Sequence, residues 1–391
     1  MKNHASTGNV DFPVFLWYNT PIRQMHFCEM TVWNMGNSNY ERKIKELQTL
    51  AEYRKELRKN PQLRFLFFEL TQRCNENCIH CGSRCGETEV AELPTEVYLR
   101  LLDKVASDFA GHLPMICVTG GEPLLRRDFF EIVGHAHRLG FPWGMTSNGT
   151  LITKDVARRL KEAGMNTVSV SLDGTKEYHD RFRRSQNAFE RTVEGLRNLL
   201  EQGFEDVQAT TVVTKQNLGS LEELFQVLYD IDVDSWRLLA IEPIGRALDI
   251  PEMQLSTKEH FALLDFIRGK REQGYPVLYG CCHWLGTDYE REVRDWYFLC
   301  NAGVYTASIM SNGDIGACLD IDRRPETIQG NILRDDFTKV WKERFEIFRT
   351  PLSERCEECR NCPDVAFCEG GSCHSWDYER DRQLVCLKRD R

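Results

Sequence analysis

Six short apolar runs, separated by stretches of helical period, constrain this chain more than any other feature. The runs are Leu63–Leu70, Met115–Thr119, Trp143–Ser147, Thr167–Leu172, Val207–Val213 and Trp236–Ile241. Each is short enough for a strand and rich in β-branched or aromatic residues. Thr95–Phe109, Asp128–Arg138, Lys154–Ala163, Ala188–Glu201 and Ser220–Tyr229 read as the helices between them, and residues 256–271 as a helix after the sixth. Gly140, Gly164 and Gly203 stand where helices would stop. Strands alternating with helices are joined by crossovers, and crossovers build a parallel sheet. The expected fold is therefore α/β, either doubly wound or curved into a partial barrel. In both, chemistry gathers at the C-terminal ends of the strands.

At that end of the first run stand Cys74, Cys78 and Cys81, spaced C-x3-C-x2-C. Three close thiolates can hold three irons of a four-iron cube and leave the fourth open to a small molecule. The plainer reading is structural zinc, with Cys85 as the fourth thiolate. One strand further on, Gly120, Gly121, Glu122 and Pro123 directly follow the second run. Paired glycines let backbone approach a ligand closely. The adjacent carboxylate can accept hydrogen bonds from an ammonium group. Alone, this tetrapeptide would also serve as an ordinary turn.

Together these residues resemble the radical SAM enzymes, over about residues 61 to 250. The resemblance implies a partial (β/α)6, TIM-like barrel whose [4Fe–4S] cluster is held by Cys74, Cys78 and Cys81. It implies S-adenosylmethionine on the open iron, cleaved by one electron to methionine and a 5′-deoxyadenosyl radical that abstracts hydrogen from a substrate. Gly120, Gly121 and Glu122 would hold the methionine amine. Ser147 and Asn148, ending the third strand, resemble the family's Ser-Asn segment near the cofactor. Ser171, after the fourth strand, is a further polar contact. For each of these, helix capping or turn chemistry is the plainer alternative. Arg183 is placed either at the cofactor carboxylate or in solvent. Glu242-Pro243-Ile244-Gly245 forms either a wall for adenine or a turn.

From about Cys281 the texture changes. Cysteines crowd together and periodicity fades, so metal sites are expected to hold the last hundred residues together. Cys300, then Gly313 and Cys318, then Cys359-x2-Cys362-x5-Cys368, Cys373 and Cys386 resemble the SPASM extension of radical SAM enzymes. That resemblance implies two auxiliary [4Fe–4S] clusters, one served by Cys300, Cys318 and Cys373, the other by Cys359, Cys362, Cys368 and Cys386. Zinc sites are the alternative here also. The pattern departs from the family at Cys373, which follows Cys368 by one residue too many and has His374 beside it as a substitute. Cys356 is extra. Cys281 or Cys282 would have to supply a fourth ligand to the first auxiliary cluster, which otherwise stays open. The expected division is an N-terminal arm and helix (1–60), the barrel (61–285) and a small cysteine-rich iron–sulfur domain (286–391). Within the first, residues 41–59 read as an amphipathic helix with a charged outer face.

Composition narrows the partners. A net charge of −9 argues against nucleic acid. No apolar run is long enough to span a membrane and no secretory signal stands at the N-terminus. Sixteen cysteines in an acidic chain of 391 residues without a signal point to metal rather than disulfides. Oxygen-sensitive clusters point to the cytoplasm, with a flavodoxin or ferredoxin as reductant. Enzymes of this family with SPASM extensions mostly modify peptides and proteins, so a peptide or protein substrate is the expectation, foremost a ribosomally made peptide. No N-terminal segment is as long as a leader-recognition domain, typically ~80 residues, a compact-domain size. Sulfatase maturation is a further alternative, weakened by Leu319, which separates Cys318 from Asp320. Small-molecule maturation, as of a cofactor or haem, is another. A non-enzymatic iron–sulfur or zinc scaffold stands outside these classes.

Overall fold

The computed structural model describes residues 36–87, 90–280 and 283–389. The proposed ligands Cys281 and Cys282 and the N-terminal arm to residue 35 lie outside them. Helix α1 (Gly36–Lys59) leads into β1 (Phe65–Glu69). Then follow α2 (Thr95–Asp108), β2 (Met115–Thr119), α3 (Phe129–Arg138), β3 (Trp143–Ser147), α4 (Lys154–Glu162) and β4 (Thr167–Ser171). Next come α5 (Lys176–Arg183), α6 (Ala188–Leu200), β5 (Asp206–Val213), α7 (Leu221–Ile231), β6 (Ser235–Ala240), α8 (Thr257–Glu272) and β7 (Val277–Tyr279).

Strands β1 to β7 pair in sequence order and all run parallel. The six expected strands are present, with ends shifted by one or two residues. Helix α5 was not anticipated. Its sequence, KEYHDRFR, is too charged and short to show a period, yet one face is buried through Tyr178, His179, Phe182 and Arg183.

The C-terminal segment differs more from expectation. Strand β8 (Thr306–Ile309) pairs parallel with β1, and β9 (Asp314–Gly316) and β10 (Gly330–Asn331) continue antiparallel beyond it. The result is one open ten-stranded sheet with β7 and β10 at its edges. Ile309, Ile315, Val340, Trp341 and Phe345 lie in the same apolar core as Leu66, Phe68 and Trp143. The last hundred residues are thus braced by barrel packing as well as by any metal. Helix α9 (Phe337–Glu343) supplies part of that core.

Helix α1 is laid across the C-terminal segment. Leu47 and Leu50 pack on Trp284, Tyr297 and Phe298, and Leu57 packs on Val304 and Tyr305. Among the described residues no helix is long and apolar enough to cross a membrane.

Candidate active site

The loop after β1 and the turn after β2 are fastened backbone to backbone. Gly121 N–H donates to Thr71 C=O at 2.7 Å, and Glu122 N–H to Arg73 C=O at 2.9 Å. The glycines make this possible. A Cβ on Gly120 would stand 2.5 Å from the Thr71 oxygen, and one on Gly121 would stand 2.2 Å from the Arg73 oxygen and 3.0 Å from Cys74 Cβ. The sequence motifs at 74–81 and 120–123 are therefore two sides of one site.

Glu122 is fully buried. Ser147 Oγ donates to both its oxygens at 3.0 and 3.1 Å, and the N–H groups of Asn148 and Leu124 donate at 2.9 and 3.3 Å. Burial nonetheless raises its carboxyl to about 7, against those hydrogen bonds. A cation beside it would restore the charged form. Asn148 turns its amide to Asn75 Oδ1 at 2.9 Å and stands 4.0 Å from Cys74 Sγ. Gly120, Gly121, Glu122, Ser147 and Asn148 are thus gathered against the loop of Cys74. Ser171 ends β4, half-buried, in register with Thr210.

Burial pushes Cys74 up to about 11 and Cys78 to about 12. Cys81 is held below the usual thiol range by hydrogen bonds from the side chain and N–H of Cys85. Cys85 is its donor, and the coupling drives the Cys85 thiol upward.

Behind Cys78 lies a charged cluster. Arg183 donates to Asp173 at 2.6 Å, and its Nη1 lies 3.6 Å from Cys78 Sγ and 3.7 Å from Glu76. Both carboxylates and Arg183 are buried, so the solvated position considered for Arg183 is excluded. Burial would raise Asp173, but Arg183, His80 and His179 more than offset it and hold it low. The Tyr178, His179, Phe182, Arg183 spacing, one face of a helix, was the available signal.

Beyond β6, a Cβ on Gly245 would stand 2.4 Å from Cys81 O and 2.2 Å from Gly82 O, and Arg246 N–H donates to Cys81 C=O at 3.0 Å. The Glu242–Gly245 segment is therefore more than a turn, because it seats the cysteine loop. Glu242 Oε1 lies 2.6 Å from His283 Nε2, though not aligned as a hydrogen bond. Sequence alone did not indicate His283.

The C-terminal thiols form two sets. Cys373 N–H donates to Cys300 Sγ at 3.4 Å, and Cys373 also feels Cys318. Cys359 and Cys368 both feel Cys386, Cys368 feels Cys362, and Cys356 shares a hydrogen bond with Cys359. The extra residue before Cys373 does not carry it away from Cys300. The donor chemistry, three groups of thiols, suits iron–sulfur clusters. Among the described residues no three His, Cys, Asp or Glu are gathered tightly enough to hold a single metal ion. A cube seats each thiolate on its own iron and needs no such convergence.

The chain matches the radical SAM superfamily over residues 68–228 and SPASM, an iron–sulfur cluster-binding domain, over residues 300–363. It is 32% identical over 317 residues to the mycofactocin maturase MftC of Mycobacterium ulcerans, covering 78% of this chain and 82% of that protein. It is 29% identical over 332 residues to an AdoMet-dependent heme synthase of Oleidesulfovibrio alaskensis, covering 80% and 83%. Streptococcus suis SuiB, solved bound to S-adenosylmethionine, shares the fold with a TM-score of 0.65 at 18% identity, over 92% of this chain and 84% of that one.

Proposed function

Since the chain belongs to the radical SAM superfamily and carries a SPASM iron–sulfur cluster-binding domain, we propose that it is a maturase acting on a ribosomally made peptide. The chemistry that its cluster and S-adenosylmethionine supply when bound is reductive cleavage of the sulfonium and removal of a substrate hydrogen atom. The residues divide that work. Cys74, Cys78 and Cys81 would hold the cluster with an open iron. Glu122 would take the methionine ammonium, with Ser147 and Asn148 fixing its carboxylate and Gly120 and Gly121 allowing the close approach. Ser171 would be a further polar contact. Arg183 offsets negative charge behind Cys78. Cys300, Cys318 and Cys373 would hold one auxiliary [4Fe–4S] cluster, and Cys359, Cys362, Cys368 and Cys386 the other. A flavodoxin or ferredoxin would deliver the electron, in the cytoplasm, where such clusters survive.

The likeness to the mycofactocin maturase MftC, at 32% identity over most of both chains, supports the maturase reading. The test is co-expression with a short peptide encoded beside the gene. A peptide lighter by two hydrogens is expected; an unaltered peptide from iron-replete, cofactor-cleaving enzyme would contradict it. The heme synthase relative, at 29% identity, favours a second reading in which a haem precursor is the substrate. The same enzyme incubated with an iron-porphyrin precursor and followed by mass spectrometry decides between them.

A further inference from the structure

Arg54 occupies an unexpected place. It lies on α1, outside both stretches matched to known families. It holds the buried slot between Leu50 and Leu57 that an apolar residue would normally fill, and is 3% exposed. Its Nη1 donates to Phe367 C=O and its Nη2 to Phe298 C=O. Phe367 immediately precedes Cys368, and Phe298 stands two residues before Cys300. One guanidinium therefore joins the segments that carry the two C-terminal thiol sets. A cavity of about 40 Å³ beside it is lined by Cys300, Cys368 and Cys373.

Two further observations point to a ligand beyond these carbonyls. Among the described residues the buried Nε–H of Arg54 has no hydrogen-bond partner. The charged groups facing the guanidinium are Glu369 at 3.6 Å, itself paired with Arg58, buried Glu290 and, of the cluster thiols, Cys368. A buried guanidinium with an unspent donor is costly unless an anion lies near. A cube ligated by four thiolates is such an anion, and it gains further negative charge on reduction. A nearby cation and hydrogen bonds toward the sulfurs favour the reduced form.

We infer that Arg54 sets the reduction potential of the auxiliary cluster held by Cys359, Cys362, Cys368 and Cys386, holding it above the value that the thiolates alone would give. The inference rests on the assignment of that cluster to those cysteines. Helix α1 is then part of the electron-handling apparatus rather than a brace alone.

The test is an EPR-monitored redox titration of the full, anaerobically reconstituted chain, with iron measured on each sample. Arg54→Met should lower the midpoint of one auxiliary cluster and leave the radical SAM cluster unmoved. Arg54→Lys should fall between it and wild type. Glu369→Gln, which removes the opposing carboxylate, should move the same midpoint upward. Paired shifts of opposite sign are not produced by loosened packing. An unmoved midpoint in iron-replete Arg54→Met overturns the inference. Should Arg54→Met lose iron, Arg54→Lys decides: a midpoint below that of wild type supports the inference and an unchanged one overturns it. Wild-type protein with about four irons rather than about twelve would instead overturn the cluster assignment itself, and this inference with it.

Discussion

Arg183 Nη1 lies 3.6 Å from Cys78 Sγ while the same guanidinium is paired at 2.6 Å with buried Asp173. One cation thus serves a structural carboxylate and a cluster-loop thiol. Arg183→Met should cost roughly 3–5 kcal/mol, because Asp173 is left charged and unpaired in the core. Denaturant unfolding checks this. Asp173→Asn added to Arg183→Met should recover part of the loss, whereas a simple sum of two losses would show that the pair is not coupled.

Glu122 gives a pH signature. Its carboxyl sits near 7 instead of the ordinary 4.5. A carboxyl raised in this way contributes stability that is full below about 4.5 and lost as pH rises through about 7. Ammonium binding requires the ionised form. Affinity for S-adenosylmethionine should therefore fall about tenfold per pH unit below 7. Glu122→Gln should weaken binding roughly 10- to 100-fold at pH 8 and flatten that slope. Calorimetry on the anaerobic holoenzyme across pH 6 to 8 checks both; a steep slope surviving in the variant would assign the proton elsewhere.

Gly121 tests the fastening of the two motifs. Its alanine variant puts a methyl group 2.2 Å from the Arg73 carbonyl oxygen, so the cysteine loop must move. Iron should drop by about four per chain. Gly203→Ala is the control: its positive φ of 65° costs roughly 1 kcal/mol, but no atom lies within 4 Å of the added Cβ, and iron should be unchanged.

The seam between β1 and β8 concerns the whole molecule. A chain ended at residue 285 loses the strand that covers β1, leaving Phe65–Phe68 as an open edge. It should aggregate, or elute far larger than a monomer on size exclusion. A monodisperse, cofactor-binding fragment would show that the barrel stands without β8.

The sequence made the barrel legible because its strands are short apolar runs closed by turns, and because Cys74–Cys81 and Gly120–Glu122 sit immediately after two of them. It did not reveal β8 to β10. These are two to four residues long, and their pairing is set by a distant strand. The buried placement of Arg183 and Arg54 was hidden for a different reason. Each is a charged residue in a buried helical slot, and a helical pattern places charges outward unless a particular anion holds them inside. The gathering of Cys300 with Cys373, which the resemblance implied, survives the extra residue because Gly370 and Gly371, both at positive φ, turn the chain between Cys368 and Cys373.

Cys81 and Cys85 share a hydrogen bond, yet only one of them is assigned an iron. The most direct measurement is therefore 5′-deoxyadenosine production from S-adenosylmethionine and dithionite by wild type, Cys81→Ala and Cys85→Ala, each assayed for iron and zinc. Wild type and Cys85→Ala should carry about twelve irons and form 5′-deoxyadenosine, while Cys81→Ala should form none. No 5′-deoxyadenosine from iron-replete wild type, or zinc in place of iron, would contradict the account.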